Sequence, residues 1–118
     1  MLVVDDDELL REVATVALEV VGGWEVVAAS SGEEAYSIAV STAPDAILLD
    51  VMMPGMDGPA TVVALRADPV TAEIPVIFLT AKSPSTTAGW PELRLAGVIP
   101  KPFNPMTLPA EMSELLGW

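Results

Sequence analysis

The chain has 118 residues, enough for one compact domain with its own core and too few for two. Its 17 acidic against 5 basic residues leave a formal net charge of -12, a surface that repels phosphate backbones and anionic lipid and argues against direct binding to nucleic acid or membrane. The absence of histidine and cysteine removes the commonest general base, the commonest transition-metal ligand and all disulfide or thiol chemistry. A site must then be built from carboxylates, hydroxyls, lysine and backbone groups, a donor set that suits a hard cation such as Mg²⁺.

The apolar start Met1-Leu2-Val3-Val4 is cut short by Asp5-Asp6-Asp7-Glu8, too early for a signal peptide or a membrane span, so a soluble cytoplasmic protein is expected. Leu2 to Val4 reads as a first strand. From Leu9 to Val21 apolar residues recur at helical spacing (Leu10, Val13, Ala14, Ala17, Leu18, Val21) until Gly22-Gly23 stops them. A second strand is expected over Trp24 to Ala28 and a second helix over Gly32 to Ser41, broken by Ala43-Pro44-Asp45 ahead of a third strand, Ala46 to Leu49. Asp50 to Pro59 reads as a loop punctuated by Pro54, Gly55 and Gly58, and a helix runs from about Pro59 to Ala67 with proline tolerated at its start. Ile74 to Leu79 makes a fourth strand. Between Lys82 and Leu95, Pro84 and Pro91 limit any helix to a short or kinked one. Val98-Ile99 is a brief fifth strand, and a closing helix spans Met106 to Leu116 with Pro109 in its first turn.

Strands that are near-continuous apolar runs, alternating with amphipathic helices, predict an α/β domain over residues 1–118 with a parallel sheet and helices on both faces. The order expected for its five strands is the doubly wound, flavodoxin-like 2-1-3-4-5. In such a sheet, ligands sit beyond the carboxyl ends of the strands where strand order reverses. Asp5, Asp6 and Asp7 follow the first strand, Asp50 the third, Thr80 the fourth and Lys101 the fifth, whereas only Ala29 and Ser30 follow the second. Carboxylates so gathered need counter-charge, which a divalent cation and Lys101 can supply. The set suits phosphoryl transfer: a carboxylate attacks phosphorus, metal and lysine neutralise the transferring group, and a hydroxyl contacts one of its oxygens.

Other acidic and apolar features read as structure. Asp7 favours the positive end of the first helix, and Asp57 beside Gly58 reads as a turn or cap residue. Met52, Met53 and Met56 read as loop packing without histidine or cysteine to make a copper site, and Trp24, Trp90 and Trp118 are too scattered to stack bases.

The runs Val3-Val4-Asp5-Asp6-Asp7, Leu48-Leu49-Asp50-Val51-Met52-Met53-Pro54-Gly55-Met56-Asp57-Gly58, Thr80-Ala81 and Lys101-Pro102-Phe103 together resemble response-regulator receiver domains of two-component signalling, in order along the whole chain. The resemblance implies that Asp50 accepts the phosphoryl group. It also implies that Asp6 and Asp50 hold Mg²⁺ through their side chains, with Met52 adding its backbone carbonyl and Asp5 acting through water. Thr80 would bind the attached phosphoryl group, Lys101 would pair with the carboxylate or phosphate, and the Lys101–Pro102 peptide would be cis. Met52 and Lys82 fall at positions that tune phosphate lifetime in that family. The implied partners are a sensor histidine kinase or histidine phosphotransfer protein, and a downstream effector.

Three features depart from the family pattern. Val98 stands where an aromatic residue often swings inward, the segment before it is rich in proline, and the first strand begins almost at Met1, where a few more residues are expected. The Val98 substitution motivates a second reading, a degenerate receiver that only binds partners. A third, a phosphatase of the haloacid-dehalogenase type, expects a second aspartate where Met52 stands, so no turnover of external phosphate esters is expected and the chain is not read as an enzyme.

Overall fold

In the computed structural model, which describes residues 1–81 and 90–118, five parallel strands form one sheet of order β2-β1-β3-β4-β5. They are β1 (Leu2–Val4), β2 (Val27–Ala29), β3 (Ile47–Asp50), β4 (Val76–Thr80) and β5 (Gly97–Pro100). Among the described residues four α-helices accompany them: α1 (Glu8–Val16), α2 (Gly32–Thr42), α3 (Gly58–Ala67) and α4 (Leu108–Leu116). This is the expected doubly wound order, with the reversal between β1 and β3.

Alternation along each strand divides the core between the two faces of the sheet. Leu2, Val4, Ile47, Leu49, Val76 and Phe78 pack with residues of α2 and α3. Their neighbours Val3, Leu48, Ile77 and Leu79 pack with Ala14 and Leu18 of the first helical stretch and with Leu108 and Met112 of α4. All four residues of β3 and all five of β4 are buried, which explains why these strands carry no polar alternation in the sequence. Fully burying each Leu or Ile here contributes about 1.5–3 kcal/mol.

Several boundaries differ from the sequence reading, β4 running Val76–Thr80 rather than Ile74 to Leu79 and β3 ending at Asp50 rather than Leu49, and three of the differences have a local cause. The first helix loosens at Ala17–Val21 into a π-helical turn, closed by the Gly22 amide on the Ala17 carbonyl. The second strand is Val27–Ala29 rather than Trp24 to Ala28, because β1 offers only Leu2, Val3 and Val4 as parallel partners. Trp24 instead sets its ring edge-on to Trp118, with centroids 5.4 Å apart. The last helix starts at Leu108, two residues later than expected, because Asn104 accepts the Met106 amide on its side chain and those of Thr107 and Leu108 on its carbonyl. Of the span from Lys82 to Leu95, residues 82–89 lie outside the described residues, and Trp90–Leu93 is a short 3₁₀ turn whose Trp90 meets Phe78 edge-on at 4.9 Å.

At the amino ends of β4 and β5, Arg66 in the last turn of α3 ties loops together. Its guanidinium donates to the carbonyls of Ala72, Ile74, Leu93 and Arg94 at 2.7–3.3 Å. Desolvation by burial, followed by the nearby charge of Arg94, lowers its pKa from the ordinary arginine value.

One glycine fixes how closely α3 approaches the acceptor strand. A Cβ on Gly58 would lie 2.8 Å from Val51 Cα and 2.9 Å from the Asp50 carbonyl oxygen, both of them backbone atoms. The Gly58 amide also donates to the Val51 carbonyl at 2.9 Å. Gly58→Ala is expected to lower stability by about 1–3 kcal/mol through overpacking, read as a fall in the urea midpoint. An unchanged midpoint would show that this contact relaxes freely.

Candidate functional site

Each candidate side chain is delivered by the carboxyl end of a strand. Asp5 follows β1, and its amide donates to the Ala29 carbonyl at 3.2 Å, which holds the chain against β2 for one residue past the paired register. Asp50 is the last residue of β3, opposite Leu79 of β4. Thr80 closes β4 opposite Pro100, and its carbonyl accepts the Lys101 amide at 2.8 Å. That bond seats Lys101 directly beyond β5, and the Lys101–Pro102 peptide is cis, as the resemblance implies.

The side chains converge. The Lys101 ammonium donates to Asp50 Oδ1 at 2.9 Å and to Asp5 Oδ2 at 3.3 Å. Asp5 Oδ1 accepts the Asp7 amide at 2.9 Å, so both of its oxygens are held. Asp5 and Asp50 are 2% and 3% exposed, whereas Asp6 is exposed; one carboxylate oxygen from each of the three lies within 4.8 Å of the others. Thr80 is buried at the same rim, and the exposed Met52 sits on the loop leaving β3, two residues beyond Asp50.

Burial pushes the Asp50 carboxyl above its ordinary value; the Lys101 hydrogen bond pulls it back, and the charges of Asp5 and Asp6 push it up again. Lys101 is subject to the opposite balance. Burial lowers its pKa, but the Asp50 hydrogen bond and the charges of Asp5 and Asp50 outweigh burial and raise it above the ordinary lysine value. Among the described residues one ammonium therefore faces three carboxylates, and the atoms the cluster offers a metal are carboxylate oxygens. A hard divalent cation fits this donor set, and soft or imidazole-seeking metals do not.

The acidic residues read as structural serve as caps. Asp7 Oδ1 accepts the Leu10 amide at 3.1 Å at the start of α1, and Asp57 Oδ1 accepts the Ala60 amide at 2.9 Å at the start of α3. Val98 lies on β5 with 43% of its surface exposed. Lys82 falls outside the described residues. Two neighbours of the site escaped the sequence reading. Arg11 Nη1 donates to the Asp5 carbonyl at 2.9 Å, and Glu33 Oε1 accepts the Met56 amide of the β3–α3 loop at 3.3 Å. The only sequence signal for Arg11 is that it is one of 5 basic residues, placed on the helix that follows the acidic run.

A flavodoxin-like sheet with an acidic cluster and a lysine at its switch point defines a receiver-type domain. Residues 1–113 match the family described as response regulator receiver domain, and the chain belongs to it. It is 38% identical over 123 residues to the phosphate regulon transcriptional regulatory protein PhoB of Pseudomonas aeruginosa, covering 98% of this chain and 51% of that protein. Against response regulator MprA of Mycolicibacterium vanbaalenii it is 38% identical over 117 residues, covering 98% and 49%. The chain thus spans about half the length of these curated relatives. Among solved structures, the Vibrio cholerae chemotaxis protein CheY4 superposes with a TM-score of 0.89 at 33% identity, covering 97% of this chain and 95% of that one. The receiver domain of a signal transduction histidine kinase from Syntrophus aciditrophicus gives 0.86 at 33% identity, covering 98% and 88%.

The raised pKa of Asp50 has a signed consequence for stability. The folded state holds the proton more tightly than the unfolded chain, whose value lies near 3.8, so ionisation costs more in the folded state. Without metal, this contribution to stability is lost as pH rises from below 3.8 through the folded value. Asp50→Asn removes the cost. In EDTA its stability relative to the parent chain is expected to increase between pH 3.5 and pH 7, measured by urea unfolding. A relative stability that declines with pH would contradict this electrostatic account.

Proposed function

We propose that the chain is a phosphoryl-accepting switch of a two-component phosphorelay, taking a phosphoryl group from a phosphohistidine donor onto Asp50 with Mg²⁺. The observation that carries this reading is the geometry of one lysine bridging Asp50 and Asp5, with the Asp6 carboxylate beside them. An Asp50 carboxylate oxygen attacks phosphorus, the new O–P bond forms as the donor's P–N bond breaks, and the electron pair leaves with the imidazole. Lys101, already donating to Asp50, is placed to follow the charge onto the phosphoryl oxygens. Thr80, at the neighbouring strand end, supplies a hydroxyl to the same group. Asp5, Asp6, Asp50 and the Met52 carbonyl would hold the cation, whose chemistry is to neutralise the phosphoryl oxygens during transfer.

The donor is a sensor histidine kinase or a histidine phosphotransfer protein, the product is read by a downstream effector, and the reading puts the exchange in the cytoplasm. An acidic chain of net charge -12 is unsuited to touching nucleic acid or an anionic bilayer itself, and among the described residues no helix is long and apolar enough to cross a membrane. The protein is a switch rather than an enzyme acting on external substrates, with Met52 where a phosphatase of the aspartyl-phosphate type would need a second acid. The exposed valine at position 98 favours a second reading, a receiver whose partner binding ignores phosphorylation. That reading predicts partner binding unchanged by Asp50→Asn.

Incubation with Mg²⁺ and acetyl phosphate is expected to add one phosphoryl group to the intact mass, absent with EDTA and absent from Asp50→Asn. No adduct under any donor would overturn the switch reading. Mg²⁺ should also raise the melting temperature, since it binds only where the carboxylates are assembled; at a hundredfold excess over Kd the gain is about 2.7 kcal/mol. Asp6→Ala should blunt that response most. A melting temperature indifferent to Mg²⁺ would count against a cation at this rim.

A further inference from the structure

We propose that Arg11 is a positioning residue for the cation-binding carboxylates, holding the peptide that joins Asp5 to Asp6. The inference rests on the reading that these residues bind a divalent cation. The paired register of β1 with both neighbours ends at Val4, so the Asp5 carbonyl lies beyond the ladder. It belongs to a buried residue and needs a donor. Arg11 supplies one, reaching back from α1 to place Nη1 at 2.9 Å in a partly buried contact.

The consequence follows from peptide planarity. The Asp5 carbonyl oxygen shares one rigid plane with the Cα atoms of Asp5 and Asp6. Fixing that oxygen fixes the rotation of the plane, and with it the directions in which both carboxylates leave the backbone. The Asp5 side chain is then locked by the Asp7 amide and Lys101, whereas among the described residues no ion pair holds the Asp6 carboxylate, which depends more heavily on its backbone.

Charge makes the same arrangement useful. Among the described residues the other two arginines, Arg66 and Arg94, sit at the amino ends of β4 and β5, where Arg94 pairs with Glu73. Among the described residues, Arg11 and Lys101 are left as the basic side chains beside the acidic rim. Lys101 occupies oxygens of Asp5 and Asp50, but Arg11 makes no ion pair among the described residues and binds a carbonyl instead. It brings positive charge to the rim without taking a carboxylate oxygen from the cation.

Calorimetric titration with MgCl₂ at a temperature where every variant is folded tests this. Arg11→Met keeps most of the aliphatic stem and loses the donor; it is expected to bind Mg²⁺ about tenfold more weakly, the scale of loss found when groups orienting metal ligands are removed. Arg11→Lys, which keeps charge and a donor but not the fork, should fall between it and the parent. Arg66→Lys, a control at the far end of the sheet, should cost stability and leave Mg²⁺ affinity unchanged. Equal affinity of the parent and Arg11→Met would overturn the proposal. Tighter binding by Arg11→Met would also overturn it, since the guanidinium would then act as a rival cation. A parent chain that binds no Mg²⁺ would instead overturn the cation reading itself, and this inference with it.

Discussion

Crowding of negative charge at the ends of neighbouring strands is the constraint on which the rest of this structure depends. Asp5 and Asp50 are almost wholly buried, and Asp6 adds a third carboxylate within the same small space. A hydrophobic core would drive such groups apart or protonate them unless something compensates. Lys101 compensates in part, by hydrogen bonds of 2.9 Å to Asp50 and 3.3 Å to Asp5, both distant from it in the chain. The remaining imbalance is what the proposed function draws on: a site held in deficit of positive charge favours a cation and, with it, an anionic phosphoryl group.

The fold supplies the rigidity this requires. Parallel strands buried on both faces fix where each backbone ends, and the side chains that follow inherit that placement. The Lys101 amide on the Thr80 carbonyl and the Gly58 contact against Asp50 and Val51 hold the β5 and β3 ends in the same way. Loops at the opposite end are gathered by Arg66, which donates to the carbonyls of Ala72 and Ile74, whereas Lys101 at the acidic rim pairs with carboxylates.

Much of this was legible in the sequence because it is local. A short valine-rich run followed by Asp5-Asp6, and Leu48-Leu49 followed by Asp50, place carboxylates at strand ends without knowledge of tertiary structure, and the alternation of elements implies a parallel sheet covered by helices. The caps at Asp7 and Asp57 were readable for the same reason. What was not legible depends on distance in space. The start of β2 is set by the three residues β1 offers it, and Trp24 leaves the expected strand for Trp118. The grip of Arg11 on the Asp5 carbonyl requires the return path of α1 over the β1 end, which no spacing rule specifies.

The central claim is that Asp5, Asp6, Asp50, Thr80 and Lys101 form one phosphoryl-accepting centre, and a stable mimic of the aspartyl phosphate tests it without any donor protein. Fluorine NMR of the chain with beryllofluoride and Mg²⁺ should show a bound resonance that disappears with EDTA and is absent from Asp50→Asn. A spectrum containing only free fluoride species at saturating Mg²⁺ would contradict the account and leave the chain as a receiver fold that binds partners without the switch.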